Sequence, residues 1–198
     1  MLSLPPHVTA RRSVFPQFFT DGAVSEEVLH ALLAAANEAP SHRKTEPWRF
    51  RVYRGAGREK LLDLLRATYA DWARSRVQTG TETEPWGEKL DKKFGKKINQ
   101  SPVILLLSLS RDEAASVPEW EEIAAVGAAV QNLWTSLDAY DLGGYWSSPG
   151  FLCRGYGEFP GAADNERCLG LFYLGHYAMP DLPRPRGDWR DKVTWIDD

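Results

Sequence analysis

Two cysteines, Cys153 and Cys168, are too few for a disulfide framework, and their spacing is not C-x-x-C. A reducing compartment, the cytoplasm, is therefore the expected location. Long apolar runs are missing. The stretch Val103 to Leu107 is far too short to cross a bilayer. The opening MLSLPPHVTARRS has no charged segment leading into an apolar one, so no signal peptide is expected. Basic excess is absent too. Lys and Arg number 24 against 27 Asp and Glu, a net charge of -3, which argues against a nucleic-acid partner. The four histidines (His7, His30, His42, His176) have no short ligand spacing, so no metal site is expected. No G-x-G-x-x-G follows a strand, and there is no Walker A sequence and no G-x-S-x-G elbow. Repeats and low-complexity linkers are also lacking.

What is present is ordinary globular composition, 43% apolar and 26% charged, over 198 residues. That length suggests one domain spanning 1–198, with 75–97 as a lid and 179–198 as a C-terminal arm. Eight tryptophans are many for this length, and suit core packing, a planar ligand or a dimer seam.

Hydrophobic periodicity places the elements. Ser25 to Asn37 is predicted as a helix, capped by Ser25, with an apolar stripe of Val28, Leu29, Leu32, Leu33 and Ala36. Trp48, Phe50 and Val52 alternate with Arg49, Arg51 and Tyr53, the period of a half-buried strand. Arg58 to Trp72 is a second helix. Residues 75–97 are polar and interrupted by Gly80, Pro85, Gly87 and Gly95, with a helical, lysine-rich second half. Pro102 to Ser108 is apolar throughout and is expected at the centre of a sheet.

Ser116-Val-Pro-Glu119 has the form of a capping box opening a helix that runs to about Tyr140 and ends at Gly143 or Gly144. The middle of that helix, Ala124 to Val130, is nearly all small or β-branched and is expected to be fully buried, at another helix or a partner subunit. The adjacent acids Glu121 and Glu122 read as helix-start charges. A loop precedes the buried strand Leu169 to Leu174. The tail is expected to lie along another surface. The fold class is α+β, a small mixed sheet between helices.

Three stretches carry chemical information. Arg11-Arg12-Ser13-Val14 precedes the first long helix. Ala-Asn-Glu-Ala-Pro-Ser-His (36–42) closes that helix and leads into Glu-Pro-Trp-Arg-Phe (46–50). Asp-Leu-Gly-Gly-Tyr-Trp-Ser-Ser (141–148) follows the small-residue helix. In this order and spacing, from about Arg11 to Gly175, they resemble the flavin-dependent nitroreductase family, especially its short bacterial NAD(P)H nitroreductase branch.

The resemblance implies a homodimer that holds FMN at the subunit seam. It assigns Arg11 and Ser13 to the FMN phosphate and ribityl chain, and Arg12 to the pyrimidine side of the ring. A bidentate guanidinium suits a phosphate, and a cation beside the ring favours the negative charge that reduction adds. Ser41 and His42 would reach the flavin from the partner chain, with Glu38 nearby. Trp146, Ser147 and Ser148 would lie against the ring system. Arg186, in the arm, is a further phosphate candidate.

The implied activity is hydride transfer from NADH or NADPH through the flavin to a small-molecule acceptor such as a nitroaromatic or quinone. Two other readings remain: dehalogenation or oxidation of a specific substrate on the same fold, and a non-catalytic flavin-binding module. The chain departs from the family where it has Phe15 in place of a further arginine, and Lys44 and Glu46 in place of an asparagine and a glutamine. Glu46 would either face the flavin and lower its potential, or turn outward or pair with Arg43, Lys44 or Arg49.

Overall fold

A computed structural model describes residues 4–77, 86–114, 116–153, 159–180 and 185–197. After a short α1 (Pro6–Ala10), α2 spans Glu26–Asn37. The Ser25 side chain accepts a hydrogen bond from the Val28 N–H, satisfying one of the donors a helix start leaves open. Leu29, Leu32 and Ala36 are buried, and Val28 and Leu33 pack against the same cluster, as the stripe requires.

Four strands follow: β1 (Trp48–Arg54), β2 (Val103–Ser110), β3 (Leu142–Ser147) and β4 (Glu166–His176), in the order β1-β2-β4-β3. All three pairings are antiparallel. Among the described residues, the parallel contribution to the sheet is a single bridge, Ser13 to Gly144.

The sheet is covered on both faces. Side chains of β2 alternate, with Val103, Leu105, Leu107 and Leu109 on one side and Ile104 and Leu106 on the other. The first side meets α2 and α6 (Glu119–Ser136). The second meets α3 (Gly57–Val77), the helical stretch α4 (Trp86–Leu90) to α5 (Lys96–Asn99), and α7 (Gly150–Cys153). Burial on both faces explains why β2 reads as an unbroken apolar run.

Several expectations are corrected. On β1, Val52 is exposed while Tyr53 packs on the second core cluster, so the end of this edge strand buries the face opposite to the one its alternation predicts. Gly95 does not break its helix. A π-turn, Asp91–Gly95, joins α4 to α5. Residues 78–85 of the expected lid lie outside the described residues. Ser116 does not cap α6, whose N-cap is Pro118 without a side-chain bond. Its hydroxyl instead bonds Asp112 at 2.5 Å. Gly143 and Gly144 do not end the helix. A short 3-10 turn, Leu137–Tyr140, closes on Asp141 in the left-handed region, and both glycines belong to β3, a strand where the sequence predicts a loop.

The small-residue helix is not fully buried within the chain. Ala125, Val126, Ala129, Val130 and Leu133 face the core, while Trp120 is 68% and Ile123 39% exposed. The described part of the arm does not pack on this chain either. Residues 185–197 are exposed throughout.

Candidate functional site

The Arg-Arg-Ser segment is held by main-chain contacts to the edge of the sheet. Val14 N–H donates to the Gly144 carbonyl at 2.9 Å. A Cβ on Gly143 would sit 2.7 Å from the Val14 side chain, so only glycine admits this approach. Phe15 stacks on Tyr145 with ring centres 4.4 Å apart, which gives a structural use to the residue that departs from the family pattern. Ser13 and Val14 thus run beside Gly143 and Gly144, Phe15 meets Tyr145, and two of the three motif stretches become neighbours.

Trp134, which the motif reading missed, anchors the arginines. Its indole N–H donates to the Arg12 carbonyl at 3.1 Å, and the Arg11 guanidinium lies 4.7 Å from the ring centre. Only the tryptophan count hinted at such a role. Arg11 and Arg12 are half-buried and Ser13 is exposed.

Trp146 is fixed from below. Its indole N–H donates to the Leu169 carbonyl at 3.1 Å. Leu169 is extra in the ladder: Leu107 pairs with Gly170 and Ser108 with Cys168. This bulge gives Gly170 a φ of 140°, and a Cβ there would lie 2.5 Å from both the Ser147 carbonyl oxygen and the Trp146 indole nitrogen. Ser147 is half-buried and Ser148 exposed.

The third stretch lies elsewhere. Glu38 lines a 700 Å³ cleft between α2 and the last turns of α6, with Asn132 and Ser136. Ser41 and His42 line a 420 Å³ cleft against the exposed start of α6, with Trp120, Ala124 and Ala128. His42 Nδ1 contacts the Glu121 carboxylate. Glu122 is 1% exposed and accepts from Arg111 and from the Asp112 N–H, so these two acids do more than charge a helix start.

The loop itself is strained. Arg43, Lys44 and Glu46 have φ of 53°, 56° and 42°, the left-handed region that costs side-chain-bearing residues free energy. Ser41 accepts from the Glu46 N–H at 3.2 Å and closes the loop. The Glu46 side chain is exposed, and Arg49 reaches its carbonyl rather than its carboxylate. Along α6, Glu121 and Trp134 are separated by 13 residues, about 20 Å at 1.5 Å per residue. Within one chain, His42 is therefore remote from Arg11. Among the described residues, no hydrogen bond or ion pair joins Arg186 to the others; it lies in the exposed arm. No cluster of metal-ligating side chains occurs among them, and no helix is long and apolar enough to cross a membrane.

A four-stranded sheet between helix layers, with an Arg-Arg-Ser segment on its β3 edge, defines a class. Residues 8–176 match the profile of the nitroreductase family, and the chain belongs to that family of oxidoreductases. It is 28% identical over 158 residues to YdjA of Escherichia coli K12, described as a candidate NAD(P)H nitroreductase, covering 77% of this chain and 78% of that one. It is 28% identical over 189 residues to YfhC of Bacillus subtilis 168, described in the same way, covering 94% and 91%. In structure it resembles a nitroreductase-like protein from Bacillus cereus, with a TM-score of 0.78 at 25% identity over the full length of both chains. A Desulfovibrio desulfuricans protein crystallised with FMN shares the fold, with a TM-score of 0.70 at 24% identity over 98% and 99%.

Proposed function

We propose that this protein is an FMN-dependent oxidoreductase that works as a homodimer, taking electrons from NADH or NADPH and delivering them to a small aromatic acceptor, a nitroaromatic or a quinone. The observation that carries the reading is the main-chain bridge between the Arg-Arg-Ser segment and β3, which gathers two guanidinium groups, a hydroxyl and the Trp146-Ser147-Ser148 stretch at one edge of the sheet. That donor set fits a phosphorylated, hydroxylated ligand with a flat ring. The relatives named as NAD(P)H nitroreductases support the same assignment.

When bound, FMN supplies the two-electron relay between nicotinamide and acceptor. The chain's residues hold and enclose it. Arg11 and Ser13 take the phosphate and its sugar chain, Arg12 takes the pyrimidine side, and Trp146, Ser147 and Ser148 back the ring. Ser41 and His42 come from the second subunit, with Glu38 behind them. The exposed, apolar start of α6 is the seam that brings them there, since within one chain they are remote from Arg11. The enclosed site excludes water and orients nicotinamide and acceptor in turn. A cytoplasmic location suits this chemistry and the two free thiols.

The visible spectrum of the purified protein tests the proposal. A yellow protein bleached by NADH or NADPH is the expected result. A yellow protein that neither bleaches would point to other chemistry on the flavin, and a colourless protein that takes up no added FMN would end the flavin reading. Arg11→Ala should weaken FMN binding about ten- to hundredfold, and more than Arg12→Ala, because it removes the charge-assisted phosphate contact. Equal FMN affinity in the wild type and Arg11→Ala would remove Arg11 from the site.

A further inference from the structure

The two cysteines, separate in the sequence, meet in the fold. Cys153 closes α7, and Cys168 lies in β4, paired with Ser108 of β2. α7 packs on β4, on the face of the sheet opposite α2 and α6. Phe151, Leu152 and Cys168 belong to one buried cluster, and Cys153 packs against it. The two thiols lie within hydrogen-bonding reach of each other. Side chains that meet in this way satisfy the first requirement for a disulfide.

The pair is asymmetric. Cys168 is fully buried, whereas Cys153 is half-buried, so Cys153 is the member that a solute can reach. A hydrogen bond from Cys168 holds the Cys153 thiol below its usual range, against the opposing effect of burial. The same bond, and then burial, push the Cys168 thiol up. The thiolate is the reactive form of cysteine. An accessible thiol that ionises more readily, backed by a second thiol that does not, has the arrangement of a reactive cysteine and its resolving partner.

Each cysteine is joined to a residue that positions the candidate flavin contacts. The N–H groups of Leu152 and Cys153 donate to the Pro149 carbonyl at 3.0 and 2.9 Å, so α7 is one tight turn fixed to the residue after Ser148. Cys168 directly precedes Leu169, whose carbonyl accepts from the Trp146 indole at 3.1 Å. Leu169 is the extra residue of the bulge, where the ladder is interrupted and the strand gives most easily. The Cys168 sulfur itself lies 3.8 Å from the Gly170 carbonyl oxygen, across that bulge. Gly170 has no free space towards Ser147 and Trp146, so a shift of the bulge is passed to both.

We propose that Cys153 and Cys168 form a reversible intramolecular disulfide on exposure to a hydroperoxide, and that the bond displaces the bulge that seats Trp146. The disulfide stands on the thiol pair alone, while its effect on flavin binding rests on the oxidoreductase reading. In the first step the Cys153 sulfur attacks the peroxide. The O–O bond breaks, an S–O bond forms, and the departing oxygen takes the thiol proton. The Cys168 sulfur then attacks the sulfenic sulfur. The S–S bond forms as the S–O bond breaks, and the hydroxyl leaves as water with the Cys168 proton. Together the two sulfurs lose two electrons, and the peroxide is reduced to water and an alcohol, or to two waters for hydrogen peroxide. A dithiol reverses the bond by exchange, as expected for a transient disulfide in a reducing compartment.

The probe is hydrogen peroxide, added to the folded protein as purified, followed by alkylation of free thiols and mass analysis of the chain and its peptides. The wild type should lose two hydrogens, yield a peptide linked through Cys153 and Cys168, and recover both thiols with dithiothreitol. Cys168→Ser should stop at a sulfenic acid on Cys153 that dimedone captures, and Cys153→Ser should keep Cys168 as a thiol. Sulfinate on Cys153 without the linked peptide, two chains joined through Cys153, or a link that forms only after denaturation would overturn the disulfide. The wild-type peptides decide this even where a variant fails to fold. Hydrogen exchange tests the displacement: amides of β3 and of the bulge should exchange faster in the oxidised protein, and unchanged exchange would overturn it. The oxidised protein should also bind FMN about fivefold or more weakly, the lower end of usual coupling between sites, and peroxide should cause no such change in Cys153→Ser. Equal FMN affinity in the two redox forms would overturn the effect on flavin binding. A protein that takes up no FMN in either form would end the oxidoreductase reading, while the linked peptide and the exchange rates still decide the disulfide and the displacement.

Discussion

At the scale of single residues, backbone geometry rather than side-chain chemistry places the candidate flavin contacts. Gly170 looks unremarkable in the sequence, a small residue inside an apolar strand. In the fold it occupies the bulge that supports Trp146 and Ser147, at a φ that side chains rarely adopt and with no room for a methyl group. Gly170→Ala must displace the β3 backbone or the indole. It should therefore cost about 3 kcal/mol or more in urea unfolding, within the range for overpacking combined with backbone strain. An alanine variant as stable as the wild type would show that the bulge relaxes freely. Glu166, at the start of the same strand, makes a comparable point with polar chemistry. Its carboxylate is bonded by Ser108 at 2.5 Å and Arg51 at 2.7 Å, tying three neighbouring strands together.

At the scale of elements, the loop between α2 and β1 is the least relaxed part of the described chain. Three residues with side chains occupy the left-handed region within five positions. The loop must turn sharply from the end of α2 to the edge strand while presenting Ser41 and His42 outward. The exposed Lys44 tests how much of that conformation is held against local preference. Lys44→Gly removes the Cβ clash and should stabilise the protein by about 0.5–1 kcal/mol, read as a higher urea midpoint. A lower midpoint would mean that the lysine side chain makes contacts worth more than the strain. The start of α6 illustrates a different lesson. Ser116, Pro118 and Glu119 have the spacing of a capping box, yet Ser116 bonds Asp112 and Glu119 ion-pairs with Arg167. A neighbour four residues back captured the first side chain and a residue of the distant β4 strand captured the second.

At the scale of the whole molecule, the apolar surface on α6 indicates what one chain leaves unfinished. Trp120, Ile123 and Ala124 lie exposed beside the Ser41 and His42 cleft. An apolar face of this kind is characteristic of an interface. The proposed dimer should sediment at about twice the 22.3 kDa chain mass and bury well over ~2,000 Å². Ala124→Glu places a charge on that face without disturbing the chain's own core. It should convert the dimer to a folded monomer and, if Ser41 and His42 act across the seam, reduce FMN retention with it. A wild type that sediments as a monomer at micromolar concentration would remove the basis for the shared site.

The sequence alone determined the elements whose patterning is local. The stripe and Ser25 cap of α2, the unbroken apolar β2, the helical second half of 75–97 and the order of the three motifs all follow from spacing between near neighbours, where propensity and periodicity act. Only the tertiary structure decided what depends on distant partners. Asp-Leu-Gly-Gly-Tyr-Trp-Ser-Ser became an edge strand because β4 pairs with it and the Arg-Arg-Ser segment packs on its glycines. Trp134 became an anchor for Arg12, and Glu121 a partner for His42, through contacts that no local spacing encodes. The half-exposure of α6 was hidden for the same reason: small residues permit close packing on every side of a helix, and only the arrangement of the other elements decides which side the chain itself covers.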